Sequence, residues 1–228
     1  MLDFKAMNDV VGLFFQIWLF FIPFLLALCV HEYSHGWVAN KLGDPTARLM
    51  GRLTLNPMAH ADPVGTILLP LLLIFFHVPM FFGWAKPVPV NSRNLKNERV
   101  DLFWIALAGP GSNIIMAILG ALFQAGSKRF LPSGTWELID NFTEVFIDIN
   151  LALAIFNLIP IHPLDGGKIF AIFFPERVNR RLEELQPVLN LVLMVLFVSG
   201  VLGSILGPPI VATKEVLIKL SYGLFGFS

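Results

Sequence analysis

One cysteine, Cys29, occurs among 228 residues, so no disulfide can close within the chain and no metal site can be built from several thiolates. Charge is also scarce, with 14% of residues Asp, Glu, Lys or Arg against about 25% in an ordinary soluble domain. The 16 basic and 16 acidic side chains cancel. That balance leaves no basic field for nucleic acid, which is excluded as a partner, and no acidic tail. Internal repeats, low-complexity tracts and heptads are missing too, which removes solenoids and coiled coils. What the chain has is apolar bulk: 56% of it is hydrophobic. It reads as an all-α integral membrane protein whose solvent is the lipid bilayer.

Charge-free runs long enough to cross roughly 30 Å of hydrocarbon lie at Val10 to Val30, Pro63 to Ala85, Leu102 to Ser127 and Leu185 to Thr213, with a shorter one at Ile149 to Leu164. The first is too long for a signal-peptide core and lacks a small-residue cleavage site, so it is predicted to be retained. Basic residues concentrate on the cytoplasmic side of a membrane, and their placement separates two topologies. If all five runs cross, the bias is weak. If Pro63 to Ala85 dips and returns, the stretch from Lys41 to Arg99 joins Lys168 to Arg181 on one side, leaving Lys5, Lys128, Arg129, Lys214 and Lys219 opposite. Pro70, His77, Pro79 and Gly83 interrupt that run, and broken backbone is tolerated at membrane depth only where protein or a cavity surrounds it. The prediction is four full transmembrane helices plus a re-entrant helical or β-hairpin element, against five to six spans. Residues 1–228 form one domain, with a core over about 14–170 and a C-terminal span over about 185–209.

At the end of the first run stands His31-Glu32-Tyr33-Ser34-His35, an H-E-x-x-H pattern. Residues four apart share a helix face, so two imidazoles can grip one ion. Glu32, about 100° around the helix from His31, need not ligate, yet it can take a proton from a metal-bound water. A polar helix end at the headgroups is the bland alternative, but ionisable residues this close to an apolar span are costly unless they face a cavity or partner. A catalytic zinc has three protein ligands and one open position. The third must come from elsewhere, and Asp165 and His162 are the candidates in Asn157-Leu-Ile-Pro160-Ile-His162-Pro163-Leu-Asp165-Gly166-Gly167, a segment whose prolines and glycines unwind helix.

H-E-x-x-H together with N-x-x-P-x-x-P-L-D-G resembles the site-2 protease family of intramembrane zinc metalloproteases. Gly83-Trp-Ala-Lys-Pro-Val-Pro and Ala108-Gly-Pro-Gly-Ser-Asn113 are similar to that family's membrane-embedded hairpin and central helix. The resemblance runs through most of Phe14 to Lys168. It implies one zinc per chain held by His31, His35 and Asp165, water activated by Glu32, and an oxyanion steadied by Asn157. His162 departs from the family pattern and is assigned a supporting or oxyanion contact. The implied substrate is a transmembrane segment of another membrane protein, and the implied location a bacterial inner membrane with the active site nearer the cytoplasm. The outside loop from Lys128 to Asp148 is too short for an independent domain, which needs about 40 residues, so a small member without a peptide-binding PDZ or nucleotide-sensing CBS domain is expected. Oligomeric state is not legible.

Lys86-Pro87-Val88-Pro89-Val90 reads as an extended strand whose prolines blank one edge and leave the other free to pair with an unwound substrate. His60 and Asp62 sit among turn signals and read as a loop, His77 as a bend residue, and Asn113 as facing the bundle interior. Cys29 points away from the metal, and Arg177 to Glu184 is a solvated face. Two rival functions remain: a metal-ion transporter or channel with a His/Asp site, which has no need of Glu32, and an inactive scaffold that binds transmembrane helices.

Overall fold

The computed structural model describes residues 12, 15, 17–76, 83–132 and 136–226. Lys5, His77 and Pro79 lie outside the described residues, as does the start of the first apolar run. Among the described residues all regular structure is helical, in agreement with the expected all-α membrane protein.

Helix α1, Ile17–Lys41, opens with a π-helical turn and continues past the apolar run through the H-E-x-x-H motif. It ends where Gly43 takes a left-handed φ of 112°, a conformation costly for any residue with a Cβ. Two short helices follow, α2 at Thr46–Leu49 and α3 at Pro57–His60, the latter capped by the Asn56 side chain accepting from the Met58 amide. Helix α4, Pro63–Phe75, is capped by Asp62, whose carboxylate accepts from the amides of Val64 and Gly65. At 1.5 Å per residue it reaches only about 20 Å, short of the hydrocarbon thickness.

The chain then comes back to where it left. Ala61 and Ala85 form an isolated antiparallel bridge, the Lys86 amide donates to the His60 carbonyl at 2.8 Å, and the Trp84 amide to the Gly65 carbonyl at 3.1 Å. A Cβ on Gly65 would lie 2.1 Å from the Trp84 indole, so glycine is what lets the return stack on the outgoing turn. A crossing segment would leave its ends some 30 Å apart. These ends touch, the geometry of a dip and return. The strand expected at Lys86 to Val90 is extended chain without a ladder, and the bridge at Ala85 is the nearest approach to the β-hairpin alternative.

Helix α5, Glu98–Phe130, is the longest element at 33 residues, with Asn97 accepting from the Val100 amide and Asp101 from the Asn97 amide at its start. Helix α6, Trp136–Asn157, packs along it. Hydrocarbon is as apolar as leucine, so helices associate in a bilayer by close packing rather than by the hydrophobic effect. The contact accordingly uses small residues: Ala117 and Ala121 of α5 meet Ile147 and Leu151 of α6 in a fully buried cluster. A Cβ on Gly120 would press on Ile147 and Phe146 at 3.0 Å. Ala27 and His35 of α1 lie beside Asn113 and Ile105 of α5, so these two helices are antiparallel. Lys128 of α5 pairs with Asp140 of α6 at 2.6 Å, making α6 antiparallel to α5 as well. Thus α1 and α6 run in the same direction, as the shared depth of His31 and Asp165 requires.

Beyond the turn after Asn157 lie α7, Asp165–Ala171, and the charged α8, Glu176–Glu184. Here one expectation is corrected. The apolar run from Leu185 to Thr213, expected to hold a single span over about 185–209, is two helices: α9 at Gln186–Val198 and α10 at Val201–Leu224. Gly200, at φ 75°, divides them. An uninterrupted apolar composition hides that break, because a left-handed glycine stops a helix without any change of polarity. Among the described residues three helices, α1, α5 and α10, are long and apolar enough to cross a membrane, and α6 has 22 residues, the length of a span. Exposed apolar side chains cover α9 and α10, among them Leu191, Met194, Val195, Val198, Ile205 and Val211. Lipid is the environment that surface fits.

Candidate metal centre

The last turns of α1 bring both motif histidines to the buried side of the helix, with His31 5% and His35 8% exposed. Their rings meet edge to face with centroids 4.6 Å apart. Asp165, the first residue of α7, is 8% exposed, and its Oδ2 lies 3.1 Å from His31 Nε2 and 3.3 Å from His35 Nε2. Ligand atoms at about 2.0–2.1 Å from a tetrahedral ion stand about 3.3 Å apart. The two histidine–carboxylate distances therefore match the spacing of zinc ligands.

The hydrogen bonds allow the same reading. His35 Nδ1 lies 2.7 Å from the Ile105 carbonyl oxygen, which can only accept, so that nitrogen carries a proton. Nε2 then faces a carboxylate oxygen of Asp165, a contact that needs a cation between them, either a metal ion on the Nε2 lone pair or a second ring proton. Gly109 of α5 leaves the room: a Cβ there would sit 2.4 Å from His35 Nε2 and 2.6 Å from His31 Nε2. Two imidazoles and a carboxylate form the N2O donor set of a catalytic zinc site, and the residues present fit that ion.

Glu32 is only partly buried, and one of its carboxylate oxygens comes within 4.8 Å of a ring nitrogen of each histidine. It is held from the far side, where its Oε2 accepts the Val88 amide at 2.7 Å. This corrects the free-edge reading of Lys86 to Val90. On the edge that the prolines do not blank, the Lys86 amide is taken by the His60 carbonyl and the Val88 amide by Glu32. Arg52, unremarked in the sequence, donates to the carbonyls of Lys86 and Pro87 at 2.7 and 3.3 Å. Asp44, fully buried, accepts from the Asn91 amide at 2.7 Å and from Asn94 Nδ2 at 2.7 Å. Residues 86–94 are therefore a strap fastened over the motif helix.

The centre opens into a cavity of about 700 Å³ walled by α1, the strap, α6, α7 and the first half of α10. Phe24, Leu28, Ile149, Phe156 and Leu206 make it apolar. Asn157 is on its wall, with Nδ2 donating to the Leu153 carbonyl at 2.9 Å and a second N–H without a partner among the described residues. His162 is not on that wall, and its buried Nε2 has no partner among the described residues. The structure thus brings together His31, Glu32, His35, Asp165 and Asn157. It does not bring His162 to them, contrary to the supporting or oxyanion contact expected. Pro163 and Leu164 face the cavity in its place. His60 and Asp62 are structural: His60 Nε2 faces the Thr54 carbonyl at 2.7 Å and Asp62 caps α4.

The sequence placed Asn113 in the bundle interior, where it lies fully buried, but missed its pairing with His31 and the whole of Asn150. His31 Nδ1 lies 2.6 Å from Asn113 Oδ1, and Asn113 Nδ2 lies 2.9 Å from Asn150 Oδ1. The available signal was two asparagines placed in apolar runs.

Comparison with known proteins agrees with this geometry. The model of peptidase family M50 matches residues 131–200, a stretch that contains Asn157 to Gly167. A Bacillus subtilis (strain 168) protein named "Putative zinc metalloprotease YwhC" is 36% identical over 208 residues, covering 90% of this chain and 91% of its own length. A Mycobacterium tuberculosis (strain ATCC 25618 / H37Rv) protein named "Putative zinc metalloprotease Rip2" is 29% identical over 180 residues, 78% of this chain and 66% of its own. "Stage IV sporulation protein FB" of Bacillus subtilis (strain 168) is 27% identical over 158 residues, 67% of this chain and 50% of its own. No solved structure matches the chain. With a relative this similar along nearly its whole length, the chain belongs to peptidase family M50, the site-2 proteases its paired motifs resemble.

Proposed function

We propose that the chain is a zinc endopeptidase that cuts peptide bonds in or beside the transmembrane segments of other membrane proteins, from a site nearer the cytoplasmic face of the bilayer. The observation that carries this reading is the convergence of His31, His35 and Asp165 on one point at the end of an apolar cavity, with Glu32 beside them. Zinc bound by the three supplies a Lewis acid for the scissile carbonyl and for water. Glu32 takes the proton of the attacking water and delivers it to the departing amide nitrogen, while the spare N–H of Asn157 donates to the carbonyl oxygen as it gains charge. Val88 holds the Glu32 carboxylate in place through its amide. The apolar wall suits a hydrophobic segment and excludes bulk water. A substrate helix must unwind to present a peptide bond there, because intrahelical hydrogen bonds shield it.

The test is Glu32→Gln in membranes containing a model protein with a cleavable transmembrane segment. The expected outcome is a metal-loaded, uncleaving variant, since the base and the ligands are separate groups. Cleavage close to wild type would remove Glu32 from the mechanism.

A further inference from the structure

Resting on the metal site just proposed, we infer that Asn113 and Asn150 form a one-way amide relay that fixes the tautomer of His31 and aims its Nε2 at the metal. His35 has a simple orienter, because a backbone carbonyl can only accept. His31 has a side-chain amide opposite its Nδ1, which could present either oxygen or nitrogen, and which of the two faces the ring decides where the ring proton sits.

The surroundings decide it. Asn113 is fully buried, and its Nδ2 lies 3.2 Å from the Ala27 carbonyl oxygen and 2.9 Å from Asn150 Oδ1. Asn150 is fully buried as well, and its Nδ2 lies 2.8 Å from the Phe146 carbonyl oxygen. Ala27 and Phe146 offer oxygens that accept and never donate. The Phe146 carbonyl therefore requires the Asn150 nitrogen on its side, which turns the Asn150 oxygen toward Asn113. Two acceptors then require the Asn113 nitrogen on their side, which turns its oxygen toward His31. His31 must answer with Nδ1–H, at 2.6 Å, leaving the Nε2 lone pair 3.1 Å from Asp165 Oδ2. Flipping either amide would set oxygen against oxygen at two fully buried side chains, a mismatch that leaves polar groups unpaired. The chain of donors crosses three helices, from α6 through α5 to α1, and a metal ligand lies at its end. Orienters of this kind are worth about 10- to 100-fold in metal affinity. Asn150 never touches His31, so any effect it has on the metal must travel through Asn113.

The experiment measures zinc affinity of the full chain in nanodiscs by chelator competition, together with the melting temperature of the metal-free protein. Wild type, Asn113→Leu, Asn150→Leu and the double variant are compared. The expected result is a zinc Kd raised at least about 10-fold by Asn113→Leu and raised less by Asn150→Leu. The double variant should be no weaker than Asn113→Leu alone, because without Asn113 the outer asparagine has no route to the ring. If both single variants lower the melting temperature but bind zinc as wild type does, the asparagines are packing groups and the relay is overturned. If the two losses multiply in the double variant, they act independently and the relay is equally overturned. Failure of wild type itself to bind zinc would overturn the metal reading first, and the relay with it. Asn150→Leu keeps the comparison informative should Asn113→Leu fail to fold.

Discussion

The bundle of α1, α5, α6 and α7 and the arm of α9 and α10 occupy one chain under opposite rules. In the bundle, the buried polar groups around the metal centre find partners in the protein: His31, Asn113 and Asn150 bond one to the next, and Asp165 meets both histidines. In the arm, α9 buries no residue at all and α10 only Leu202 and Ser221. Among its polar ties to the bundle, the 2.9 Å Lys214–Asp148 pair is partly exposed. The bundle therefore specifies a geometry, and the arm supplies a wall whose outer surface belongs to lipid. Substitutions in the first should change the chemistry, whereas those in the second should change packing and leave the metal alone.

The sharpest way to break this contrast is Gly109→Ala. Its Cβ would enter the space between the two ligand nitrogens, facing α1 in the packed bundle, where nothing can yield cheaply. Loss of metal binding and of cleavage by more than about 100-fold is expected, measured as bound zinc and product formed; an active, zinc-replete variant would mean that the bundle relaxes as the arm does. Val88→Pro comes next, since it removes the amide that holds Glu32. Cleavage should fall about 10-fold with zinc still bound, and a matching loss of both would make the strap part of the metal site. Asp44, at the far end of the strap, gives a pH dependence. Burial alone would raise its carboxyl, but donors from Thr46, Asn94 and Asn91 outweigh burial and hold it below the usual carboxylate range. Its contribution is complete above the unfolded carboxylate value and is lost as pH falls through the lower folded one. Proteolytic nicking of residues 86–94 should accordingly rise in acid, and Asp44→Asn should flatten that rise. The smallest effects belong to the arm. Gly200→Ala meets open space at a left-handed φ, so it should cost about 1 kcal/mol of stability and leave zinc affinity unchanged. Lys214→Ala should cost less than that.

The same contrast explains what could be read in the sequence. His31, Glu32 and His35 were legible as a candidate site because two imidazoles one helical turn apart make a pattern that survives in one dimension, whereas Asp165 came from the family resemblance, the local segment leaving it level with His162. The return of the chain at Ala85 to Ala61 agrees with the dip at Pro63 that the charge pattern suggested. Four features were not legible. The break at Gly200 leaves no mark in polarity, and His162 stands near Asp165 in sequence yet is not on the cavity wall. The occupied edge of the strap and the Asn113–Asn150 pair depend on contacts 56 and 37 residues apart along the chain, which no local period encodes.

Zinc content of the purified chain, wild type against Asp165→Ala, tests the centre of the account most directly. The carboxylate set 3.1 and 3.3 Å from the two imidazoles predicts near one zinc per chain in wild type and a large loss in Asp165→Ala. Full retention in Asp165→Ala, with the loss appearing in His162→Ala instead, would contradict it.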